Sequence, residues 1–324
     1  MYHLKLILAI VLSPFSAIYW LITSARNWCY DTGIFKSTSF DIPIVSVGNL
    51  AVGGSGKTPM VEYLIRELQD TYTIAVLSRG YGRKTKGFLW VQVEQTPTQT
   101  GDEPLQIKSK FENIAVAVCE KRVIGVQQIL AERPEVNLII LDDAFQHRAI
   151  QPTTQLLLST YNNPFYKDWL MPSGRLRESR KGAKRADAIV FTKAKEDEPL
   201  KDFKNTFNKP TFYTKVEVEP LGSIETLQKS IYGFSALADN SAFENNLRSD
   251  YNLTGFKGFR DHYPFSQSDI DTLLVKANGA LLVCTEKDWM KIKHLKNVED
   301  FQFISIRQTF FNNDFINWLI EQLP

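Results

Sequence analysis

Short apolar runs recur along the chain from residue 42 onward, and helical patterns separate them. The runs are apolar on both faces instead of alternating with polar residues, which is typical of strands in a parallel sheet covered by helices. They occupy residues 42–48, 73–78, 114–119, 137–142, 154–159 and 188–193. Residues 58–70 and 121–132 carry helical periodicity. This alternation predicts an α/β fold with a doubly wound, mostly parallel sheet.

A second, smaller α/β pattern follows. Residues 211–218 alternate polar and apolar positions, which predicts a linker strand. The later strand and helix candidates are residues 231–238, 240–248, 266–277, 280–286, 301–306 and 312–322. We therefore expect an apolar N-terminal segment over 1–35, a core domain over 36–215 and a smaller α/β domain over 216–324. The last strand and helix are candidates to return to the core.

The N-terminal segment is strongly apolar. Lys5 is the only charged residue between Leu4 and Ile22, so the run is almost long enough to cross a bilayer. The alternatives are a cleaved signal peptide, a spanning helix, a helix or bent helix pair in the membrane interface, and a helix packed in the protein's own core. Pro14 weakens a straight spanning helix. The aromatic residues suited to headgroup depth are Tyr19, Trp20, Trp28 and Tyr30.

Composition excludes some classes of function. The chain has 324 residues, 44% hydrophobic and 23% charged, which is ordinary for a globular enzyme with room for two domains. A net charge of +2 gives no global attraction to nucleic acid, so we expect no nucleic-acid partner. The three cysteines are widely spaced and form no CxxC motif. This spacing argues against a disulfide framework or a zinc site and favours a reducing compartment.

The strongest chemical signal is a glycine-rich loop, VSVGNLAVGGSGKTP, over residues 45–59. It lies between a predicted strand and a predicted helix, where backbone N–H groups and a helix N-terminus can bind phosphate. The pattern is that of a P-loop, although Ala51 stands where the first glycine is usual. Lys57 would bridge the β- and γ-phosphates, and Thr58 would place its hydroxyl on Mg²⁺. The predicted nucleotide-binding residues are Gly53, Gly54, Ser55, Gly56, Lys57 and Thr58.

Two acidic residues, Asp142 and Asp143, end the apolar run NLIIL. A P-loop site needs an acid at a strand end for its metal, so we predict Mg²⁺ bound by Thr58, Asp142 and Asp143. A helix N-cap is the alternative for these acids. Gln146 and His147 follow closely enough to reach a phosphate or a sugar.

The sequence gives weaker signals for the identity of the nucleotide base and for the site of the acceptor. FTKAK at 191–195 lacks the aspartate of the guanine-recognition motif, which favours ATP over GTP. GDEP at 101–104 predicts a rigid polar loop carrying two acids, and RDHYPF at 260–265 adds an aspartate and a histidine. A carboxylate–imidazole pair could accept a hydroxyl proton if a cleft joins these segments, and otherwise each is a turn motif. The arginine-rich segments 79–84 and 173–185 suit phosphate groups or anionic lipid headgroups.

Several motifs, in this order, resemble the tetraacyldisaccharide 4'-kinase family, the lipid A 4'-kinases of Gram-negative bacteria. They are VGNLAVGGSGKTP, SRGYGRK, GDEP, LDDAFQHR, LMPSGRLRE, the DH of RDHYPF, and TEKD, between Ile42 and Asp288. The resemblance implies transfer of the ATP γ-phosphate to the 4'-hydroxyl of a tetraacyldisaccharide 1-phosphate, with Mg²⁺, at the cytoplasmic face of the inner membrane. The implied partners are the acylated disaccharide lipid and the membrane surface.

The resemblance also implies roles for single residues. Lys57 contacts phosphate, and Asp102 is the catalytic base with His262 as its partner from the second domain. Residues implied to bind the acceptor or line its cleft are Asn49, Arg79, Tyr81, Glu103, Arg122, Gln146, His147, Arg177 and Glu178.

Two other functions stay open from the residues alone. One is a nucleotide-dependent switch or metallochaperone, and the other is a P-loop kinase or ligase for a water-soluble metabolite. In the latter, residues 1–30 would merely pack on the core. Since a P-loop enzyme needs the ATP and the reducing conditions of the cytosol, export by a cleaved signal is the least compatible interpretation. Pro14 and the flanking aromatic residues favour an N-terminal helix lying on the membrane over a spanning one.

Overall fold

The computed structural model describes residues 2–219, 221, 229–237, 239–261 and 263–324, with side chains from Ala9 onward. In that part of the chain, nine strands form a large sheet in the order β13-β8-β7-β6-β1-β5-β2-β4-β3. Its strands are β1 (Ile44–Asn49), β2 (Ile74–Ser78), β3 (Leu89–Trp90), β4 (Ala115–Val118), β5 (Leu138–Asp142), β6 (Thr154–Thr160), β7 (Ala188–Thr192), β8 (Thr211–Val218) and β13 (Ile306–Phe310). Only the two edge strands, β3 and β13, pair antiparallel with their neighbours.

Helices cover both faces of this sheet, as the doubly wound prediction requires. They are α2 (Lys57–Leu68), α3 (Pro97–Thr100), α4 (Asp102–Lys110), α5 (Arg122–Glu132) and α9 (Asp314–Gln322). On one face, Val47 of β1 shares a core with Leu64 of α2 and Phe315 of α9. On the other face, Leu77 of β2 packs with Val126 of α5. Burial on both faces explains why the strand sequences are uniformly apolar.

The smaller sheet has the order β10-β9-β11-β12, and all of its strands are parallel. Its strands are β9 (Ser230–Ser235), β10 (Asn252–Gly258), β11 (Leu281–Thr285) and β12 (Gln302–Ile304), with helices α6 (Ser241–Asp250), α7 (Gln267–Ala277) and α8 (Glu286–Ile292). Ser305 alone separates β12 from β13, so the chain passes directly from the small sheet to the large one. The domain boundaries predicted above remain a proposal.

Two local predictions were wrong. GDEP is not a loop, because Asp102 and Glu103 form the first turn of α4, where negative charge is favourable. Gly101 has a φ of 91° and lies between the end of α3 and the start of α4. The glycine therefore precedes the helix and Pro104 lies in its first turn, so neither residue prevents the helix. Residues 211–218 do form a strand, but it is not a simple linker, since it pairs with β7 and β13 inside the large sheet.

The N-terminal segment is one helix, α1 (Tyr2–Asp31), which continues through Pro14. One face packs against the loops near the carboxyl edge of the large sheet: Ser16 Oγ donates to Ser173 Oγ at 2.8 Å, and Tyr19 Oη donates to Arg177 O at 2.8 Å. Its exposed apolar side chains are Ile10, Val11, Phe15, Ile18, Trp20, Leu21, Ile22 and Trp28. By length and composition, the part from Ala9 to Asp31 could cross a membrane.

Candidate active site

The glycine-rich loop leaves β1 at Asn49 and ends where α2 begins at Lys57. Gly56, just before the helix, has a φ of 79°, a left-handed conformation that glycine adopts without strain. A Cβ atom at this position would lie 2.8 Å from Gln308 Oε1, so the loop also needs glycine for space. The N-terminus of α2 thus lies at the end of the loop, which is the arrangement that a phosphate site requires.

Neighbouring segments fix the shape of this loop. Asn49 is almost fully buried, and its Nδ2 donates to Ser55 Oγ at 2.7 Å. Thr192 Oγ1, at the end of β7, donates to Ser55 O at 3.0 Å. Val52 N donates to Arg175 O at 2.8 Å, which joins the loop to the arginine-rich segment. In this structure Asn49 therefore supports the loop from within.

Asp143 lies beside the loop at the end of β5 and orients its lysine. Lys57 Nζ is 3.7 Å from Asp143 Oδ1, and Arg177 Nη1 is 3.0 Å from the same oxygen. Burial alone would raise the pKa of Asp143, but the charges of Lys57 and Arg177 outweigh it and hold this pKa below its ordinary value. Asp143 is therefore ionised at neutral pH.

Asp142 is fully buried next to it. Ser78 Oγ donates to Asp142 Oδ2 at 3.1 Å, whereas Asp142 Oδ1 has no hydrogen-bond partner among the described residues. Burial, followed by the charges of Glu103 and Asp143, raises the pKa of Asp142 to about 7. A nearby cation would supply the missing partner of this oxygen, and carboxylate oxygens suit Mg²⁺.

The residues after Asp143 are attached to α1. Arg26 Nη2 donates to Gln146 O at 2.8 Å, and Asn27 Nδ2 donates to Glu178 Oε2 at 2.7 Å. The other oxygen of Glu178 accepts from Arg185 Nη2 at 2.7 Å. Because Glu178 is buried and both of its oxygens are bonded, this side chain joins α1 to the site.

Arg122 and His147 are more buried than expected for side chains that contact the acceptor substrate directly. Arg122 is 1% exposed, and its guanidinium donates to Cys119 O at 2.6 Å and to Asp142 O at 2.9 Å. It therefore holds the ends of β4 and β5 together. Burial, together with the charges of Arg122 and Arg79, lowers the pKa of His147 to about 4, so its imidazole is neutral at pH 7.

Asp102 and Glu103 approach the same edge of the sheet from the first turn of α4. Glu103 is near enough to the end of β5 for its charge to raise the pKa of Asp142. Tyr81, which is largely exposed, lines a small recess together with these two acids. The structure thus brings the segment that carries the predicted base close to Asp142, one of the two predicted metal-binding acids.

The second domain reaches Asp102 through a lysine. Lys291 Nζ of α8 lies 3.9 Å from Asp102 Oδ2. His262 lies outside the described residues, so its pairing with Asp102 stays a prediction. Asp261, the residue before it, has its carboxylate 3.8 Å from Lys287 Nζ.

Sequence reasoning missed several residues of the site. Lys291 carried a weak signal, since it follows Asp288 of the TEKD motif by one helical turn. Gln308 carried none, because it comes from the far end of the chain and meets Gly56 only through the strand order of the sheet.

Comparisons with known proteins point to a single family. The model of the family described as LpxK, tetraacyldisaccharide-1-P 4'-kinase, matches residues 8–324. The tetraacyldisaccharide 4'-kinase of Flavobacterium johnsoniae is 38% identical over 320 residues, covering 94% of this chain and 93% of that protein. The enzyme of the same name from Cytophaga hutchinsonii is 40% identical over 301 residues, covering 88% of this chain and 86% of that protein.

A solved structure is also similar over nearly its whole length. The crystal structure of LpxK from Aquifex aeolicus in complex with ATP has a TM-score of 0.81 and 33% sequence identity. The match covers 97% of this chain and 99% of that one. The fold predicted from the sequence, an α/β P-loop sheet with a smaller α/β unit and an apolar N-terminal helix, is confirmed.

Proposed function

Because the chain belongs to the tetraacyldisaccharide-1-P 4'-kinase family, we propose that it transfers the γ-phosphate of ATP to the 4'-hydroxyl of a tetraacyldisaccharide 1-phosphate. The family membership makes it an enzyme, a phosphotransferase with an alcohol acceptor. The observation that carries the proposal is the arrangement at the carboxyl edge of the sheet. There Lys57 stands at a helix N-terminus beside ionised Asp143, and the acids of α4 face the same edge.

Asp102 is the proposed general base. It accepts the proton of the 4'-hydroxyl as the oxygen attacks the γ-phosphorus, and the bond from that phosphorus to the bridging oxygen of ADP breaks. Lys57 and the N–H groups of the loop stabilise the negative charge of the transferring group. His262 is the proposed partner of the base from the second domain.

The residues present fit a magnesium ion. Within the described ranges, no group of three or more His, Cys, Asp or Glu side chains could hold a metal alone. Mg²⁺ commonly takes one or two carboxylates and completes its shell with phosphate and water, and Asp142 still has an unbonded oxygen. We propose that Thr58, Asp142 and Asp143 hold it, where it would offset the charge of the phosphates.

The acceptor is proposed to bind over the polar surface that surrounds these groups. Arg79 and Tyr81 are exposed at the end of β2, and Arg177 is partly exposed beside Asp143. Neutral His147 can donate or accept a hydrogen bond with a sugar hydroxyl. The other proposed lining residues, which are more buried and support the exposed ones, are Asn49, Glu103, Arg122, Gln146 and Glu178.

We propose that α1 lies on the cytoplasmic face of the inner membrane. Its outward apolar side chains suit the lipid interface, and its inward face holds the loops of the site, so the cleft would open where lipid headgroups emerge. A triple variant, Phe15→Asn, Ile18→Asn and Ile22→Asn, removes outward apolar surface and leaves the inward hydrogen bonds. We expect it to lose binding to anionic lipid vesicles and to keep nucleotide binding. Wild-type vesicle binding would contradict this role.

The function is tested by incubating the purified protein with ATP, Mg²⁺ and the acylated disaccharide 1-phosphate, then measuring product mass. We expect a lipid one phosphate heavier. Hydrolysis of ATP that only another protein stimulates, with no phosphorylated lipid, would favour the switch interpretation instead. A preference for unacylated, water-soluble sugars would favour the metabolite kinase.

A further inference from the structure

Lys291 is a nearly buried lysine that joins two carboxylates across the domain boundary. Its side chain is 7% exposed, and its Nζ is 3.0 Å from Asp288 Oδ1 and 3.9 Å from Asp102 Oδ2. The Phe265 ring lies on another side, with its centroid 5.8 Å from Nζ. The ammonium is therefore enclosed by two negative charges and an aromatic ring, and water has little access to it.

Asp288 fixes the position of this ammonium. Asp288 is fully buried, and its Oδ2 accepts hydrogen bonds from Ala236 N at 2.9 Å and from Thr285 Oγ1 at 2.7 Å. Its Oδ1 is left for Lys291. Ala236 follows β9 and Thr285 is the last residue of β11, so the carboxylate that binds the lysine is held at the strand ends of the small sheet.

A second set of ion pairs connects α4, which carries Asp102, to α8, which carries Lys291. Lys110 Nζ, at the end of α4, lies 2.9 Å from Glu286 Oε2 of α8 and 3.0 Å from Glu62 Oε2 of α2. Gln106 Nε2 adds a bond to Glu62 Oε1 at 2.9 Å. A shift of the small domain would therefore move Lys291 relative to Asp102.

We propose that Lys291 is a positioning residue for phosphoryl transfer, which keeps the Asp102 carboxylate ionised and directed into the cleft. The activity of Asp102 as a base then depends on the position of the second domain, which carries Lys291. This inference rests on the proposed function, in which Asp102 is the base. An opposite charge within about 4–6 Å favours the ionised form of a carboxyl. A base must be ionised to accept the hydroxyl proton.

The pH dependence of kcat separates this role from a purely structural ion pair. In Lys291→Met, the acidic limb of the kcat profile should move to higher pH by about one unit, with a KM for ATP within twofold of wild type. Lys291→Arg should restore the limb. Lys293→Met is the matched control, because Lys293, the residue that follows α8, also reaches α4 but donates to Ser109 Oγ at 3.2 Å, near the other end of that helix from Asp102.

A second variant gives the opposite sign. Asp288→Asn keeps the side-chain volume and removes the competing charge on Lys291, so the acidic limb should move to lower pH. It also serves if Lys291→Met does not fold. An unmoved limb in either folded variant would overturn the proposal. Asp102→Asn distinguishes a failure of the proposed base from a failure of the Lys291 inference. If Asp102→Asn transfers phosphate at the wild-type rate, the proposed base is wrong. If Asp102→Asn is inactive but the acidic limb is unmoved in the other variants, only the role of Lys291 is rejected.

Discussion

The proposed cleft has two sides that are held by different kinds of contact. On the nucleotide side, Lys57 begins helix α2 and Asp143 follows strand β5 of the large sheet. Hydrogen bonds from Asn49, Thr192 and Val52 fix the shape of the loop that precedes Lys57. On the side of the proposed base, ion pairs join α4 to α8: Lys291 of α8 lies 3.9 Å from Asp102 Oδ2, and Lys110, at the other end of α4, lies 2.9 Å from Glu286 Oε2 of α8. Nucleotide binding should therefore survive disturbances of the second domain that slow the transfer of phosphate.

On the nucleotide side, we expect a large effect on catalysis and little effect on stability. Lys57→Met removes the cation that stabilises the transferring group, so we expect kcat to fall about 10²–10³-fold. Its melting temperature should stay near that of wild type, because Lys57 makes its described ion pair only with partly exposed Asp143. Steady-state kinetics and a thermal melt measure both quantities. A loss smaller than tenfold would show that the loop is not the phosphate site.

The base side should instead lose stability when its ion pairs are broken. Lys110→Met leaves Glu62, which is 1% exposed, without its nearest cation, and we expect the free energy of unfolding to fall by about 3 kcal/mol at pH 8. Burial already raises the pKa of Glu62, and Lys110 opposes this. Without Lys110 the pKa rises further, so the penalty is fully present at high pH and is lost as pH falls toward the ordinary value of a glutamate.

Urea unfolding at pH 5 and pH 8 tests this expectation. Lys195→Met, at an exposed position, is the control for a general change of charge. A Lys110→Met penalty that does not shrink at pH 5 would contradict the role of Glu62.

A smaller effect distinguishes the metal-side acids. Because the pKa of Asp142 is about 7, this carboxyl is mostly neutral at pH 6 and mostly ionised at pH 8. Mg²⁺ needs the ionised form, so the affinity for Mg²⁺–ATP should be about tenfold weaker at pH 6 than at pH 8. Glu103→Gln removes a charge that raises this pKa and should move the midpoint to lower pH. Titration calorimetry measures the affinities, and equal values at both pH values would contradict this account.

The nucleotide side could be predicted from the sequence because its parts are local. The strand, the loop and the helix around Lys57 are contiguous, and the apolar run before Asp142 indicates a strand end with little ambiguity. Parallel strands then bring these ends together at one edge.

The base side could not be predicted to the same depth. Gly101 and Pro104 suggested a loop around Asp102, but a glycine before a helix and a proline in its first turn are both compatible with the helix that forms. The environment of Asp102 depends on Lys291, more than 180 positions along the chain. Likewise, the family resemblance implied that Arg122 lines the acceptor cleft, whereas only the packing of β4 and β5 shows that its guanidinium is buried.

The central claim is that one cleft binds ATP on the sheet and activates the lipid hydroxyl with Asp102. Its most direct test is the single-turnover rate of phosphate transfer to the acylated disaccharide 1-phosphate by Asp102→Asn, saturated with Mg²⁺–ATP. The account predicts a rate about 10²–10⁴-fold below wild type with unchanged affinity for ATP. A wild-type rate of transfer would contradict it.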